Sequence, residues 1–275
     1  MSAVRLLALD LDDTLLRSDL TISYRTRNAI KRAEAAGITV VLASGRVPAA
    51  MRHFAGLLGL HRRKGYLICN NGTIIQESDS GSVISEVRIE PEMALAAFDL
   101  ADAEGFPVQV YEDDVMYVSR HNEFTSYDQK LTGLRQVVVE NFRAMVSGGV
   151  HKLLFPADPV LLGPLENLFR SYFGDGVTLF TSKPYFLELL PCNTDKGTAL
   201  AKVAALMGCA QDEVLAIGDS MNDEAMIRWA GTGIAMANGD DRIKNIADLV
   251  TERTNDDDGV AEVIEKYVLA KAGIL

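Results

Sequence analysis

Val4-Arg5-Leu6-Leu7-Ala8-Leu9-Asp10-Leu11-Asp12-Asp13-Thr14-Leu15-Leu16 is the stretch on which the reading of the whole chain turns. Residues 4–9 are apolar except for Arg5, too short a run for a stable helix and consistent with a strand buried on both faces. The run ends in two acids spaced two apart, which on an extended chain point to the same side. Acids at the carboxyl end of such a strand sit where α/β folds place their ligands. Working outward, Ser23 can cap a helix over 24–36, with Ala29, Ile30, Ala33 and Ala36 on its apolar stripe and Gly37 as its stop. Residues 38–43 repeat the strand pattern. Ser44-Gly45-Arg46 then leads into a helix with Pro48 in its first turn, and 66–69 form a third short strand. This rhythm predicts a Rossmann-like, doubly wound parallel sheet with helices on both faces.

The rhythm changes after residue 72. Segments 73–77 and 83–89, separated by Ser78-Asp79-Ser80-Gly81, read as a hairpin. From Pro91 onward the expectation is a helix, short strands at 108–112 and 115–119 joined tightly through Glu112-Asp113-Asp114, a helix, two strands (the second at 151–155), a helix at 159–173, and two more strands. Tight turns imply antiparallel neighbours. Past Lys196 the first rhythm returns, with helix 198–207, strand 214–217, helix 221–230 and strand 233–236. The expected organisation is therefore an α/β core of residues 1–85 plus 190–275, interrupted by an inserted α+β domain at 86–189.

Composition narrows the functions. The 275 residues are 48% hydrophobic and 24% charged, an ordinary globular balance that excludes disorder as the main state. A formal charge of −11 repels nucleic acid and anionic lipid, so neither is an expected partner, and no protein partner is implied. Cys69, Cys192 and Cys209 are odd in number and lack a CxxC spacing, which speaks against disulfides or zinc and for a reducing, cytoplasmic setting. The stretch before Asp10 has no leader-like apolar region, and no run approaches a membrane span. His53, His61, His121 and His151 show no ligand spacing.

A second acidic pair, Asp219 and Asp223, follows strand 214–217 within Gly218-Asp219-Ser220-Met221-Asn222-Asp223; its spacing of four puts both acids on one side of a first helical turn. Two further signals follow strands: Ser44-Gly45-Arg46, and Asp195-Lys196-Gly197 opening a helix. Taken singly, each reads as a turn, a cap or a surface lysine. Their ordered occurrence after successive core strands does not. Clustered carboxylates also need a cation, because two charges 4 Å apart repel by about 4 kcal/mol at an effective dielectric of about 20. All-oxygen ligands favour Mg²⁺ over zinc or copper.

Asp10-Leu11-Asp12-Asp13-Thr14-Leu15-Leu16, Ser44, Lys196 and Gly218-Asp219-x-x-x-Asp223 resemble the four motifs of the haloacid dehalogenase superfamily of phosphohydrolases. The insert resembles a type IIB cap, and the whole chain is similar to the Cof-type sugar-phosphate phosphatases. The motif match covers the core; over the cap the likeness is architectural. Asp13 departs from the pattern, since many relatives carry Gly there. The resemblance implies that Asp10 is the nucleophile forming an aspartyl-phosphate and that Asp12 is the general acid, then base. It implies Mg²⁺ at Asp10, Asp12 (through its carbonyl), and Asp219, with Asp223 as a ligand or a support for Lys196. Leu11, Ser44, Gly45, Arg46, Lys196 and Asn222 form the implied phosphate and substrate set. The implied partner is a small phosphorylated metabolite, most simply a sugar phosphate. Asn70-Asn71-Gly72 reads first as a plain turn, with a lining of the substrate entrance as the alternative, since relatives carry a similar Asn-Gly there, and Tyr111, His121, Lys152 and Tyr185 are polar cap candidates. Competing readings are a phosphomutase or phosphotransferase with the same intermediate, a phospho-acceptor signalling module, and a catalytically idle binding protein.

Overall fold

The computed structural model describes residues 3–62, 65–112 and 115–270. Its strands, in chain order, are β1 (Leu6–Asp10), β2 (Thr39–Ala43), β3 (Tyr66–Cys69), β4 (Ile74–Glu77), β5 (Val83–Glu86), β6 (Gln109–Glu112), β7 (Val115–Val118), β8 (Arg135–Val138), β9 (Leu153–Pro156), β10 (Val177–Lys183), β11 (Phe186–Pro191), β12 (Val214–Gly218), β13 (Thr232–Ala235) and β14 (Leu249–Val250). The helices used below are α1 (Tyr24–Ala35), α2 (Pro48–Leu58), α3 (Pro91–Ala103), α4 (Glu123–Thr132), α5 (Phe142–Val146), α6 (Pro159–Phe173), α7 (Lys196–Leu206) and α8 (Glu224–Trp229). Contacts divide the chain into two compact units. One comprises Met1–Gly45, Met51–Ile84 and Asp195–Leu275; the other comprises Arg46–Ala50 and Ser85–Thr194.

The first unit is built on a sheet of order β14-β13-β12-β1-β2-β3-β4-β5. It is parallel from β14 to β3, and β4 turns back antiparallel to β3, so the expected hairpin extends this sheet. Every residue of β1 is buried, which is why its sequence is apolar throughout instead of alternating. Leu7 and Leu9 face a cluster with Ala29, Ile30 and Ala33 of α1 and with Val260 and Ile264 near the C-terminus. Leu6 and Ala8 face Leu200 and Val203 of α7 and Met226 of α8. The α/β expectation holds, helices covering both faces. Ser23 caps α1 by accepting from the Thr26 N–H, and Asp195 caps α7 by accepting from the Thr198 N–H at 2.7 Å.

The strand order fixes where the site lies. From β1 the chain winds outward through β2 and β3, and it later returns to pair β12 against the other edge of β1. Between β1 and β12 the winding reverses, which opens a crevice beyond their carboxyl ends. Asp10 closes β1 and Asp219 follows β12.

The second unit has a six-stranded sheet of order β10-β11-β9-β6-β7-β8. Its neighbours are antiparallel, as tight turns imply, except that β7 and β8 run parallel with α4 as the connection. The expected turn at 112–114 falls partly outside the described residues, which stop at Glu112 and resume at Val115. Residues of α3, α5 and α6, including Ala97, Phe142 and Phe169, pack on one sheet face against Val108, Val110, Phe155 and Leu189.

Helices α7 and α8 approach so closely that a Cβ on Gly197 would lie 2.4 Å from the Ala225 carbonyl. Gly197→Ala is therefore expected to lower stability by about 1–3 kcal/mol through overpacking. Gly56 is the contrasting case: it is exposed within α2, and an added methyl would meet nothing within 4 Å. Gly56→Ala is expected to raise stability by up to about 1 kcal/mol. Urea unfolding midpoints of the two variants check both signs.

Candidate active site

Beyond Asp10 the chain makes one wide turn, Leu11–Leu15, closed by the Leu16 N–H donating to the Leu11 carbonyl at 2.8 Å. Within it Asp12 is extended (φ −72°, ψ 130°) and Asp13 is left-handed (φ 59°). That backbone accounts for Asp13, since Gly, Asn and Asp tolerate this region best. The Asp13 carbonyl accepts from Asn238 Nδ2 at 2.7 Å, and Leu11, Thr14 and Leu15 are buried, so the turn is fixed from both sides.

Across the crevice, Asp219 follows β12 and a short 3₁₀ turn spans Met221–Asp223. The Asp223 side chain turns back towards Asp219, and α8 begins at the next residue. Asp223 Oδ2 accepts from the backbone N–H groups of Asp219 at 3.0 Å and Ser220 at 3.1 Å, and Gly218 leaves room for it, as a Cβ there would meet the Asp223 side chain at 2.5 Å. Lys196 enters from the first turn of α7. It is wholly buried, and its Nζ donates to Asp10 Oδ1 and to Asp223 Oδ1, both at 2.6 Å. Thr14 Oγ1 donates to Asp219 Oδ1 at 2.8 Å. One carboxylate oxygen each from Asp10, Asp219 and Asp223 lies within 4.8 Å of the others.

Three buried carboxylates thus share a single ammonium. Burial first, then the charge of Asp223, lifts the Asp10 carboxyl well above its usual range despite Lys196. Asp219 is pushed up to about 7 by burial and by Asp223, against the Thr14 hydrogen bond and Lys196. Burial alone would lower Lys196, but Asp10 and Asp223 outweigh it and hold the ammonium firmly charged. The arrangement is short of positive charge, and its donors are all hard oxygens. A divalent cation such as Mg²⁺ fits that donor set, with Asp10, Asp219 and Asp223 as the residues placed to hold it.

Ser44 follows β2, buried, and its carbonyl accepts from the Asn71 N–H at 2.9 Å. Asn222 accepts from Ser220 Oγ at 2.6 Å and donates through Nδ2 to Asn71 Oδ1 at 3.1 Å. The structure therefore joins Asp10, Lys196, Asp219 and Asp223 directly, and links Ser44 to Asn222 through Asn71. Leu11 and Asp12 lie on the turn after Asp10, whereas Arg46 groups with the second unit. Thr14 stands in the sequence only as part of the first motif, and Asn71 only as part of the Asn-Asn-Gly turn; their contacts with Asp219 and Asn222 come from the structure. Thr14 sits two residues past Asp12 in the motif itself, and Asn-Asn-Gly is a composition that suits left-handed backbone.

In the second unit, Tyr111 and Lys152 belong to a buried polar network. Tyr111 Oη and Gln109 Nε2 both donate to Asp128, while Lys152 donates to Glu188 at 3.2 Å and lies 4.8 Å from the Tyr111 ring centroid. His121 contacts Thr125 and Gln136, and Tyr185 stacks on Phe124.

The family model of the haloacid dehalogenase-like hydrolases matches residues 7–264. The chain belongs to this family. Among its relatives, a curated 5-amino-6-(5-phospho-D-ribitylamino)uracil phosphatase of Bacillus subtilis is 31% identical over 282 residues, covering 97% of this chain and 96% of that protein. A haloacid dehalogenase-like hydrolase from Bacteroides thetaiotaomicron superposes with a TM-score of 0.87 at 32% identity, covering 96% of this chain and 99% of the other. A sugar phosphatase of haloacid dehalogenase subclass IIB shares the fold with a TM-score of 0.83 at 22% identity, over 99% and 100% of the two chains. The Cof-type resemblance drawn from the motifs therefore stands, and this chain is a hydrolase of that family.

The raised carboxyls give the hydrolase a testable pH response once divalent ions are removed. Asp219 keeps its proton to about pH 7 when folded and releases it near its ordinary value of 3.8 when unfolded. The folded state binds more protons across that interval, so stability of the stripped protein is expected to fall as pH rises from about 4 to about 7. Asp219→Asn, which retains an acceptor for Thr14 and cannot ionise, should flatten the fall. Denaturant midpoints measured across this range check it.

Proposed function

We propose that this hydrolase is a Mg²⁺-dependent phosphatase acting on small phosphate monoesters, sugar phosphates foremost, through an aspartyl-phosphate on Asp10. The observation that carries the reading is the buried trio Asp10, Asp219 and Asp223 around Lys196 at the reversal of the strand order. Mg²⁺ held by Asp10, Asp219 and Asp223, with the Asp12 carbonyl, would neutralise charge so that a phosphate dianion can approach a carboxylate.

The chain's own groups then divide the work. Asp10 attacks phosphorus, its oxygen forming the new bond as the ester oxygen leaves. Asp12 gives that leaving oxygen a proton, then takes one from the water that attacks the phosphoryl-enzyme, releasing inorganic phosphate and restoring Asp10. Lys196 keeps positive charge beside the reacting group, and Asp223 anchors it there. The Ser44 hydroxyl, the N–H groups of Leu11 and Gly45, and the Asn222 amide form the phosphate grip.

We assign residues 1–85 and 190–275 to the catalytic core and 86–189 to a cap that selects substrates. The Bacillus subtilis relative is named for a phosphate ester on a ribityl chain, which supports a small polyhydroxylated leaving group here. No helix among the described residues is long and apolar enough to cross a membrane, and all three cysteines are free, in keeping with a cytoplasmic enzyme of metabolites.

Release of phosphate from p-nitrophenyl phosphate and from a panel of hexose and pentose phosphates tests the reading. Activity is expected with Mg²⁺ and should vanish on chelation; turnover that survives thorough chelation would sink the metal assignment. Asp10→Asn should lower kcat by a factor of about 10³ or more. Asp12→Asn should hurt sugar phosphates, whose leaving oxygen needs a proton, more than p-nitrophenyl phosphate. Equal losses on both would remove Asp12 from the acid role.

A further inference from the structure

Asn70-Asn71-Gly72 has the composition of a surface turn but not the placement of one. Connecting segments normally lie in water, because buried backbone polar groups need partners. Here Asn70 and Asn71 are 2% and 1% exposed. Three successive residues are left-handed, with φ of 48°, 56° and 104°. Asn70 Oδ1 is buried without a hydrogen-bond partner. Gly72 is pressed so near Asp195, the residue before Lys196, that a Cβ would lie 2.4 Å from its carbonyl oxygen. A turn that is buried, strained and incompletely satisfied persists only where its surroundings fix it, and such strain gathers at functional sites.

Asn71 has its reason in what it touches. Its N–H donates to the Ser44 carbonyl at 2.9 Å, its Oδ1 accepts from Asn222 Nδ2 at 3.1 Å, and its amide lies where a Cβ on Gly45 would be 3.1 Å away. Ser44-Gly45 follows β2, and Asn222 follows β12 on the far side of β1, so the strands that carry them are not paired with each other. One residue spans the two segments, its backbone N–H on Ser44 and its side chain on Asn222 and against Gly45.

We propose that Asn71 is a positioning residue that sets the distance between the Ser44-Gly45 loop and the Asn222 amide, so that both meet the same phosphoryl group. This rests on the phosphatase reading above. Asn71 need not touch substrate. It restrains the nitrogen end of the Asn222 amide, and it accounts for Gly at position 45.

The test is a double-mutant cycle read through kinetics and through inhibition by inorganic phosphate, the product. Asn71→Gly keeps the left-handed backbone accessible and removes the amide. It should weaken phosphate inhibition and raise KM about tenfold, the size of one hydrogen bond to a charged group, with a smaller change in kcat. Asn222→Ala should do the same alone, yet cost less than about twofold when added to Asn71→Gly, since the two act as one unit. Additive losses, or an unchanged phosphate Ki in Asn71→Gly, would overturn the proposal. Asn71→Asp, of the same shape and equally tolerant of the backbone, supplies the second reading. It retains an acceptor for Asn222, so Asn222→Ala should there cost about fivefold or more; a loss below about twofold in that background would also refute the link. Wild-type protein that fails to hydrolyse any phosphate ester counts against the phosphatase reading, whereas active wild type with an unaffected Asn71→Gly variant counts against Asn71 alone.

Discussion

An ammonium with no exposed surface is tenable only when carboxylates surround it, and Lys196 meets that condition through Asp10 and Asp223 at 2.6 Å each. This double ion pair binds three distant pieces of chain: the end of β1, the start of α7 and the turn after β12. Removing one partner would leave a buried charge uncompensated, a far larger loss than an exposed pair would cause. The same pair leaves a third acid, Asp219, without its own cation. The positive charge that stabilises the fold is thus insufficient for the carboxylates gathered around it, and that shortfall is what a divalent cation at this donor set would make good.

What was legible in the sequence is what depends on local pattern. A run of apolar residues ending in acids marks a strand buried on both faces with its functional end pointing at the crevice, and β1 and β12 both announce themselves in this way. Ser23 and Gly37 bracket α1 because capping is decided by adjacent residues. The contacts of Thr14 and Asn71 are not legible in the sequence, for the opposite reason. Their partners, Asp219 and Asn222, are remote in sequence, and an isolated Thr or an Asn-Asn-Gly carries no mark of what folding brings beside it. The parallel pairing of β7 with β8 was hidden too, because a tight turn reports on its own two strands and not on the strand added after α4. Nor did the sequence pattern reveal β14 or the closing helical turns at Gly259–Val263 and Ile264–Leu269, which are short and held by packing rather than by periodicity.

The two units solve the problem of sheet burial differently. In the first, helices cover both faces and the acids of the site, Asp10 and Asp219, sit at the carboxyl ends of β1 and β12. In the second, one face carries the apolar core, while Gln109, Tyr111, Lys152 and Glu188 are buried with Asp128 of α4. Buried polar networks fix side chains in one arrangement when satisfied and are costly when they are not.

The central pairing also sets the order of events during synthesis. Arg5 and Glu213, which meet at the start of the β1–β12 ladder, are 208 residues apart. Strand β1 is therefore made long before the neighbour that completes its burial, and Asp10 waits on the ribosome without Lys196. Closing so long a loop carries an entropic cost that grows only slowly with length, by about 0.6 kcal/mol per doubling. The second unit, continuous from Ser85 to Thr194 apart from one short segment, is able to fold in the interval and shorten the slack chain between the two strands. An insert that divides the eight-stranded sheet in sequence thereby helps to reunite it in time.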